Sequence, residues 1–199
     1  MTFTISKVAE SPDLITKEVV LSDGEKVIFR PLNQDDINKL TEFLQGLSVE
    51  TRRFSTFEGY DTVAAKELCD AINKYDKLRF VVENNKERIV GLIELSFGIP
   101  QGDIERFARS RVTLDEETDC RFGPTFADDY QSKGLGSEVF PIVEDIVKKF
   151  GKVRVILWGG VLADNERAIK YYKKFGFRDV GKYIGSDGVK HLDMILDLS

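Results

Sequence analysis

The sequence predicts one α/β or α+β domain built on a mixed sheet. Three observations carry that expectation. Short apolar runs are joined by tight-turn residues near both ends of the chain, at Ser22-Asp23-Gly24-Glu25 and Gly185-Ser186-Asp187-Gly188. Between them lie segments whose apolar residues recur every three or four positions, such as Ile37, Leu40, Phe43, Leu44 and Leu47. Late in the chain the nearly continuous apolar run 153–158 stands between two such segments, the pattern of a strand covered on both faces.

In chain order, residues 1–17 are weakly patterned and read as an N-terminal arm, leaving 18–199 as the domain. Val19, Val20, Val27, Ile28 and Phe29 are strand formers on either side of the Asp23-Gly24 turn, and Pro31 ends the second strand. Asn33 reads as a helix N-cap, with Asp35 and Asp36 in the first turn. Ser48 opens a short helix or loop reaching Phe54, and 61–74 reads as helix through Val63, Leu68, Ala71 and Ile72. Strands follow at 78–83 and 88–97, where Gly91 implies a bulge or a close backbone approach. Residues 98–118 are long, charged and poorly patterned, which reads as a loop with at most a helical turn near 104–109. A strand at 119–126 precedes a helix at 135–150 that Pro141 should kink. Strand 153–158 leads to a helix at 165–175 with Asp164 as N-cap and Gly176 as C-cap, and two strands close the chain.

Composition removes several functions. Of the 199 residues, 42% are apolar and 32% charged, enough for a proper core. Twenty-nine basic against 34 acidic residues give a net charge of −5, which argues against a nucleic-acid binder built on bulk positive charge. Two cysteines, Cys69 and Cys120, make no disulfide scaffold, and with the single His191 they offer no metal-ligand spacing. A Ser-His or Cys-His hydrolase would have to use His191, which sits late in a strand-like segment. Residues 1–11 lack a basic start and an apolar run, and no stretch reaches about 18 uninterrupted apolar residues. No leader, no membrane partner and a cytoplasmic location are therefore expected.

The segment that carries chemistry is Asp128-Asp129-Tyr130-Gln131-Ser132-Lys133-Gly134-Leu135-Gly136-Ser137. It follows a strand and opens a helix. Glycines there let the backbone approach a ligand, and the first free N–H groups of the helix face an anion. A pyrophosphate suits that site, with Lys133 adding a point charge. The loop lacks the Gly-x-x-x-x-Gly-Lys-Ser/Thr signature, and Val139 breaks a full Gly-x-Gly-x-x-Gly fingerprint. The same residues would also serve as a plain strand-to-helix turn.

Gln131-x-x-Gly134-x-Gly136 after a strand resembles the acyl-CoA-binding motif of the GNAT superfamily of N-acyltransferases. Asn165-Glu166-Arg167-Ala168-Ile169-Lys170-Tyr171-Tyr172-Lys173-Lys174-Phe175-Gly176-Phe177 resembles that family's Asn-x-x-Ala-x-x-x-Tyr-x-x-x-Gly-Phe segment, with the same order and separation. The opening Val27-Ile28-Phe29-Arg30-Pro31-Leu32, followed by Asp35-Asp36, resembles its first strand and helix. The likeness spans roughly residues 18–198. It implies a twisted, mostly antiparallel mixed sheet flanked by helices, with a splayed central strand pair. Pantetheine would lie in that splay against Thr125, Phe126 and Ala127. Backbone N–H groups of Gln131 through Ser137, chiefly Ser132, Lys133, Gly134, Leu135 and Gly136, would hold the pyrophosphate. An N–H near Phe126 would polarise the thioester carbonyl.

Tyr172 aligns with the family tyrosine that protonates the departing thiolate; its plainer role is a core aromatic. Asn165 would bond the pantetheine arm or simply cap its helix. Asp119, about a dozen residues before Gln131, is the general-base candidate, with Glu94 the other. Cys120 as an acyl carrier is disfavoured, because the family transfers directly. The implied activity is acetyl-CoA-dependent acetylation of a primary amine on a small molecule or protein, without a metal. The alternatives are a non-catalytic acyl-CoA-binding sensor and an interaction domain whose loop binds no anion. The resemblance also allows a homodimer, and segment 98–118 is expected to border the acceptor pocket.

Overall fold

The computed structural model describes residues 3–70, 77–185 and 188–198. Residues 71–74 of the expected 61–74 helix, with Ala71 and Ile72, lie outside the described residues, as do Ser186 and Asp187 of the expected last turn. Among the described residues, nine strands form one sheet in the order β1-β2-β3-β4-β5-β6-β9-β7, with β8 paired to β9. The hairpin β1 (Lys17–Val20) and β2 (Lys26–Pro31) leads to β3 (Lys77–Asn84), β4 (Ile89–Ser96) and β5 (Asp119–Phe126), all antiparallel. Then β5 pairs parallel with β6 (Arg154–Leu157), and β9 (Lys190–Asp197) continues antiparallel beside it. The two-residue β7 (Val161–Leu162) and β8 (Arg178–Ile184) both pair with β9.

Side-chain alternation along β5 assigns the helices to faces. Phe122 meets Phe140 of α6 (Leu135–Lys149) and Tyr172 of α7 (Glu166–Lys174), with ring centroids 5.5 and 6.5 Å apart. Those helices therefore cover one face. Arg121 points the other way, toward Asp103 of α5 (Gln101–Arg109). On that second face Arg79 reaches the Leu68 carbonyl of α4 (Thr62–Asp70), which packs with α2 (Ile37–Gly46). Asn33 makes the expected cap, and Asp36 completes a reciprocal capping box. Gly91 is the close approach the sequence implied: a Cβ there would lie 2.9 Å from the Phe126 ring.

Three expectations change. Segment 98–118 carries the nine-residue α5, and Ile99, Phe107 and Leu114 form a second apolar cluster with Ile156 of β6 and Ile195 of β9. Its apolar residues are few and set among charges, so periodicity is faint, but Arg106 binds Asp103 and Asp193 and holds the helix down. The cap of α7 is Asn165 rather than Asp164, its side chain accepting from the Ala168 N–H at 3.1 Å. Residues 3–17 are also more than a loose arm. They carry the short helix α1 (Ile5–Glu10), bury Val8 and Ile15 in the main core, and bond Phe3 N–H to the Lys149 carbonyl of α6.

Candidate functional site

The backbone of β5 decides the shape of the site. Its parallel ladder with β6 ends at Phe122↔Leu157, while β5 runs on through Gly123, Pro124, Thr125 and Phe126. The two strands therefore part, and a cleft of about 250 Å³ opens through the sheet. The Trp158 N–H donates to the Phe122 carbonyl, whereas the Ala127 N–H donates to Val90 of β4. Strand alternation then turns the backbone of Phe122, Pro124 and Phe126 toward the cleft. Proline has no N–H, so Phe126 supplies the backbone donor on this edge beyond the ladder.

The glycine loop closes one end of the cleft. Ser132 and Gly134 adopt left-handed backbone, at φ 62° and 88°, and Gly134 is the N-cap of α6. This geometry aims the first-turn amides of Leu135 and Gly136 outward, where no helical carbonyl precedes them. Two of the expected donors are already used: Ser137 N–H bonds the Gly134 carbonyl and Gln131 N–H bonds the Asp128 carbonyl. Ser132 to Gly136 are thus left as the candidate anion cradle. Gly136 has no room for a side chain, since a Cβ would lie 2.9 Å from the Tyr171 ring and 3.1 Å from that of Phe126. The Tyr171 hydroxyl donates to the Gly136 carbonyl at 3.1 Å, and Lys174 Nζ donates to Ser137 Oγ at 2.9 Å, so α7 is tied to the first turn of α6.

Tyr172 lines the cleft and is 8% exposed. Burial pushes its phenol well above the ordinary value, which keeps it protonated at neutral pH. Tyr171 is raised as well, by burial first and by its neighbour Tyr172 second.

On the second face, α3 (Val49–Phe54) brings Thr51 and Phe54 to the cleft, with Ser55 and Thr56 just beyond it. A buttress that sequence reading missed holds this helix. Asp128 accepts from Ser48 N–H, Ser48 Oγ and Thr51 Oγ1 at 2.9, 2.6 and 2.7 Å. Burial opposes ionisation of Asp128, yet the hydrogen bonds from Ser48 and Thr51 outweigh it and hold the carboxyl below its ordinary range. Gln131 Nε2 donates to Thr51 Oγ1 at 3.0 Å and to the Phe126 carbonyl at 2.8 Å, joining the glycine loop, the cleft edge and α3. Ser48-x-x-Thr51 is legible as a cap, Ser48 Oγ accepting from the Thr51 N–H, but the acid that both hydroxyls reach lies 80 residues beyond Ser48.

Glu94 of β4 faces the cleft opposite Gly123, 6% exposed, with its Oε1 held by Arg79 Nε at 2.7 Å. Asp119 does not join it. It starts β5 at the end away from the glycine loop and accepts from Asp115 N–H at 2.9 Å and Thr118 Oγ1 at 3.2 Å, with Arg154 at 3.6 Å. It is outside the cleft lining, and its bonds are those of a turn-fixing carboxylate. Asp119→Asn is therefore expected to leave kcat within about twofold while lowering stability by roughly 1–3 kcal/mol, read by assay and thermal melt. Ala127 and Lys133 also lie outside the lining; Lys133 Nζ sits over the Tyr130 ring at 5.2 Å. Thr125, Phe126, Gln131, Ser132, Gly134, Leu135, Gly136, Ser137, Asn165 and Tyr172 all line it. Segment 98–118 contributes nothing to it, because α5 packs over β6 and β9 instead. Cys120 is fully buried, and burial pushes its thiol up to about 12, away from nucleophilic use.

Residues 44–177 match the model of the acetyltransferase (GNAT) family, more than half of the chain. The chain belongs to that family. A curated relative, acetyltransferase PA5475 of Pseudomonas aeruginosa, is 29% identical over 131 residues, 66% of this chain. The match spans 64% of that relative's length. Solved structures share the GNAT fold. The GNAT domain of S. lividans PAT superposes with a TM-score of 0.70 at 19% identity, covering 94% of this chain and 99% of that one. AAC(6')-Ib, solved with ribostamycin and coenzyme A, gives 0.67 at 18% identity over 86% and 93%. The ribosomal-protein-S5-alanine acetyltransferase of Vibrio fischeri gives 0.67 at 14% over 86% and 92%. In this GNAT chain, among the described residues, no helix is long and apolar enough to cross a membrane, and no group of three or more His, Cys, Asp or Glu is placed to hold a metal ion.

Proposed function

We propose that the protein is an acetyl-CoA-dependent N-acetyltransferase that moves an acetyl group directly onto a primary amine. The observation that carries this reading is the cleft through the sheet. It links a helix N-terminus opened by left-handed Gly134 to a buried, protonated Tyr172 and, on the opposite face, to Glu94. The residues fit coenzyme A. The amides of Ser132 to Gly136 would take the pyrophosphate, and Phe126 offers its N–H to the pantetheine arm.

Each remaining residue then has a task. Glu94, fixed by Arg79, accepts a hydrogen bond from the incoming amine and orients it, while the surplus ammonium proton leaves through water. As the C–N bond forms and the C–S bond breaks, Tyr172 gives its phenolic proton to the departing sulfur. The proton shed by the new amide nitrogen restores the phenol. Asn165 uses its side-chain oxygen to cap α7, which fixes the helix that presents Tyr172. An enzyme of this kind draws on cytoplasmic acetyl-CoA, the compartment in which we place it.

Calorimetric titration with acetyl-CoA tests the reading without a guess at the acceptor. Saturable binding with a Kd on the order of micromolar is expected, about −8 kcal/mol. Absence of binding at millimolar donor would reduce the glycine loop to a turn and remove the assignment.

A further inference from the structure

The half of the cleft opposite Tyr172 shows which amines it can accept. Among the described residues, the charged side chains lining the whole cleft are Glu94 and Arg167. Arg167 belongs to α7, on the donor side with Tyr171 and Tyr172. The acceptor half is therefore lined by one carboxylate, and Arg79, 5% exposed, already neutralises it. Its walls are the aromatic rings of Phe54 and Trp158, with the hydroxyl-bearing Ser55 and Thr56 between α3 and the strand ends.

Cations already stand on the indole. Arg121, itself 3.7 Å from Asp103, lies 4.1 Å and Lys77 5.3 Å from the Trp158 ring, so that ring face is occupied. An acceptor with several ammonium groups would bring its extra charges to walls where, among the described residues, the lining carboxylate is Glu94, already paired with Arg79. Buried charge without a partner is expensive, and that cost is a means of rejection. An apolar or aromatic body carrying one amine meets none of these penalties and fills the aromatic walls.

We propose that the acceptor is a primary amine with a single cationic centre and an apolar or aromatic body, and that polyamines and aminoglycosides are excluded. This rests on the transferase reading above. It separates the chain from structural neighbours that act on polycations: a spermidine N-acetyltransferase chimera shares its fold at a TM-score of 0.63 and 19% identity.

The test uses the full chain with saturating acetyl-CoA and follows thiol release. 2-Phenylethylamine and phenylalanine amide are compared with spermidine and kanamycin. The expected result is a kcat/KM at least tenfold higher for the two monoamines. Thr56→Asp, which adds a carboxylate at the acceptor rim, should raise spermidine's kcat/KM relative to 2-phenylethylamine by about tenfold. A second readout, calorimetry of each amine against protein saturated with coenzyme A, should give binding for the monoamines and none for spermidine. Preference for spermidine or kanamycin in either readout overturns the inference and leaves the transferase reading standing. If no amine is turned over, calorimetry decides: selective monoamine binding upholds the acceptor class while the transferase reading falls, and binding of no amine overturns the class as well.

Discussion

Replacing Tyr172 with Phe should lower kcat about 100-fold or more, close to 3 kcal/mol in the barrier, while leaving the acetyl-CoA Kd within about twofold. The ring stays, so its edge contacts to Phe122 and Phe177 stay as well. Only the hydroxyl, with its transferable proton, is lost. Because burial raises the phenol, the native group remains protonated well past neutrality and contributes no fall in kcat between about pH 7 and 9. Steady-state kinetics with calorimetry on the same variant check the split. Equal turnover for both proteins would make Tyr172 a core aromatic, and a protein that binds donor without turning over any amine would be a sensor.

Gly136→Val should weaken acetyl-CoA binding at least tenfold and cost about 1–3 kcal/mol of stability. The added Cβ would press on the Tyr171 ring at 2.9 Å and on Phe126 at 3.1 Å, and neither ring is free to yield. Tyr171 is anchored by its bond to the Gly136 carbonyl and packed against Phe140 and Phe175. Phe126 is the strand residue whose N–H faces the cleft, so displacing it moves the donor-binding edge. Gly134→Ala provides the contrast. The nearest atom to its Cβ is Ser22 Oγ at 3.8 Å, and the penalty is backbone strain at φ 88°, about 1–2 kcal/mol. Paired thermal melts and titrations separate the two. A Gly136→Val protein with native affinity would show that the first turn of α6 takes no part in binding.

Much of this was legible in the chain because the signals are local. Asp23-Gly24 between β-branched residues made a hairpin, Asn33 with Asp36 made a cap, and Gln131-x-x-Gly134-x-Gly136 marked a helix start whose amides must face something. The two motifs together indicated the family, and strand β5 falls at 119–126 as its composition implied. Alternation of side chains and the absent N–H of proline are covalent facts, so Phe126 stands out on the cleft edge once the phase of β5 is known.

What the sequence left open depends on partners far along the chain. Asp119 and Glu94 are both strand carboxylates in the sequence. Pairing puts Glu94 beside Gly123 at the splay, whereas Asp119 lies at the far end of β5 among turn amides. Segment 98–118 looks like loop because its few apolar residues find their contacts on β6 and β9, 42 and more residues later in the chain. Asp128 looks like a surface acid until α3, 80 residues earlier, places Ser48 and Thr51 against it. Backbone turns, caps and glycines act within a few bonds, so the sequence determined most of the elements and the glycine loop. The half of the cleft opposite Tyr172 is assembled from α3, β4 and the residues just after β6, and only tertiary packing could decide that Glu94, the carboxylate lining it among the described residues, would be paired with Arg79.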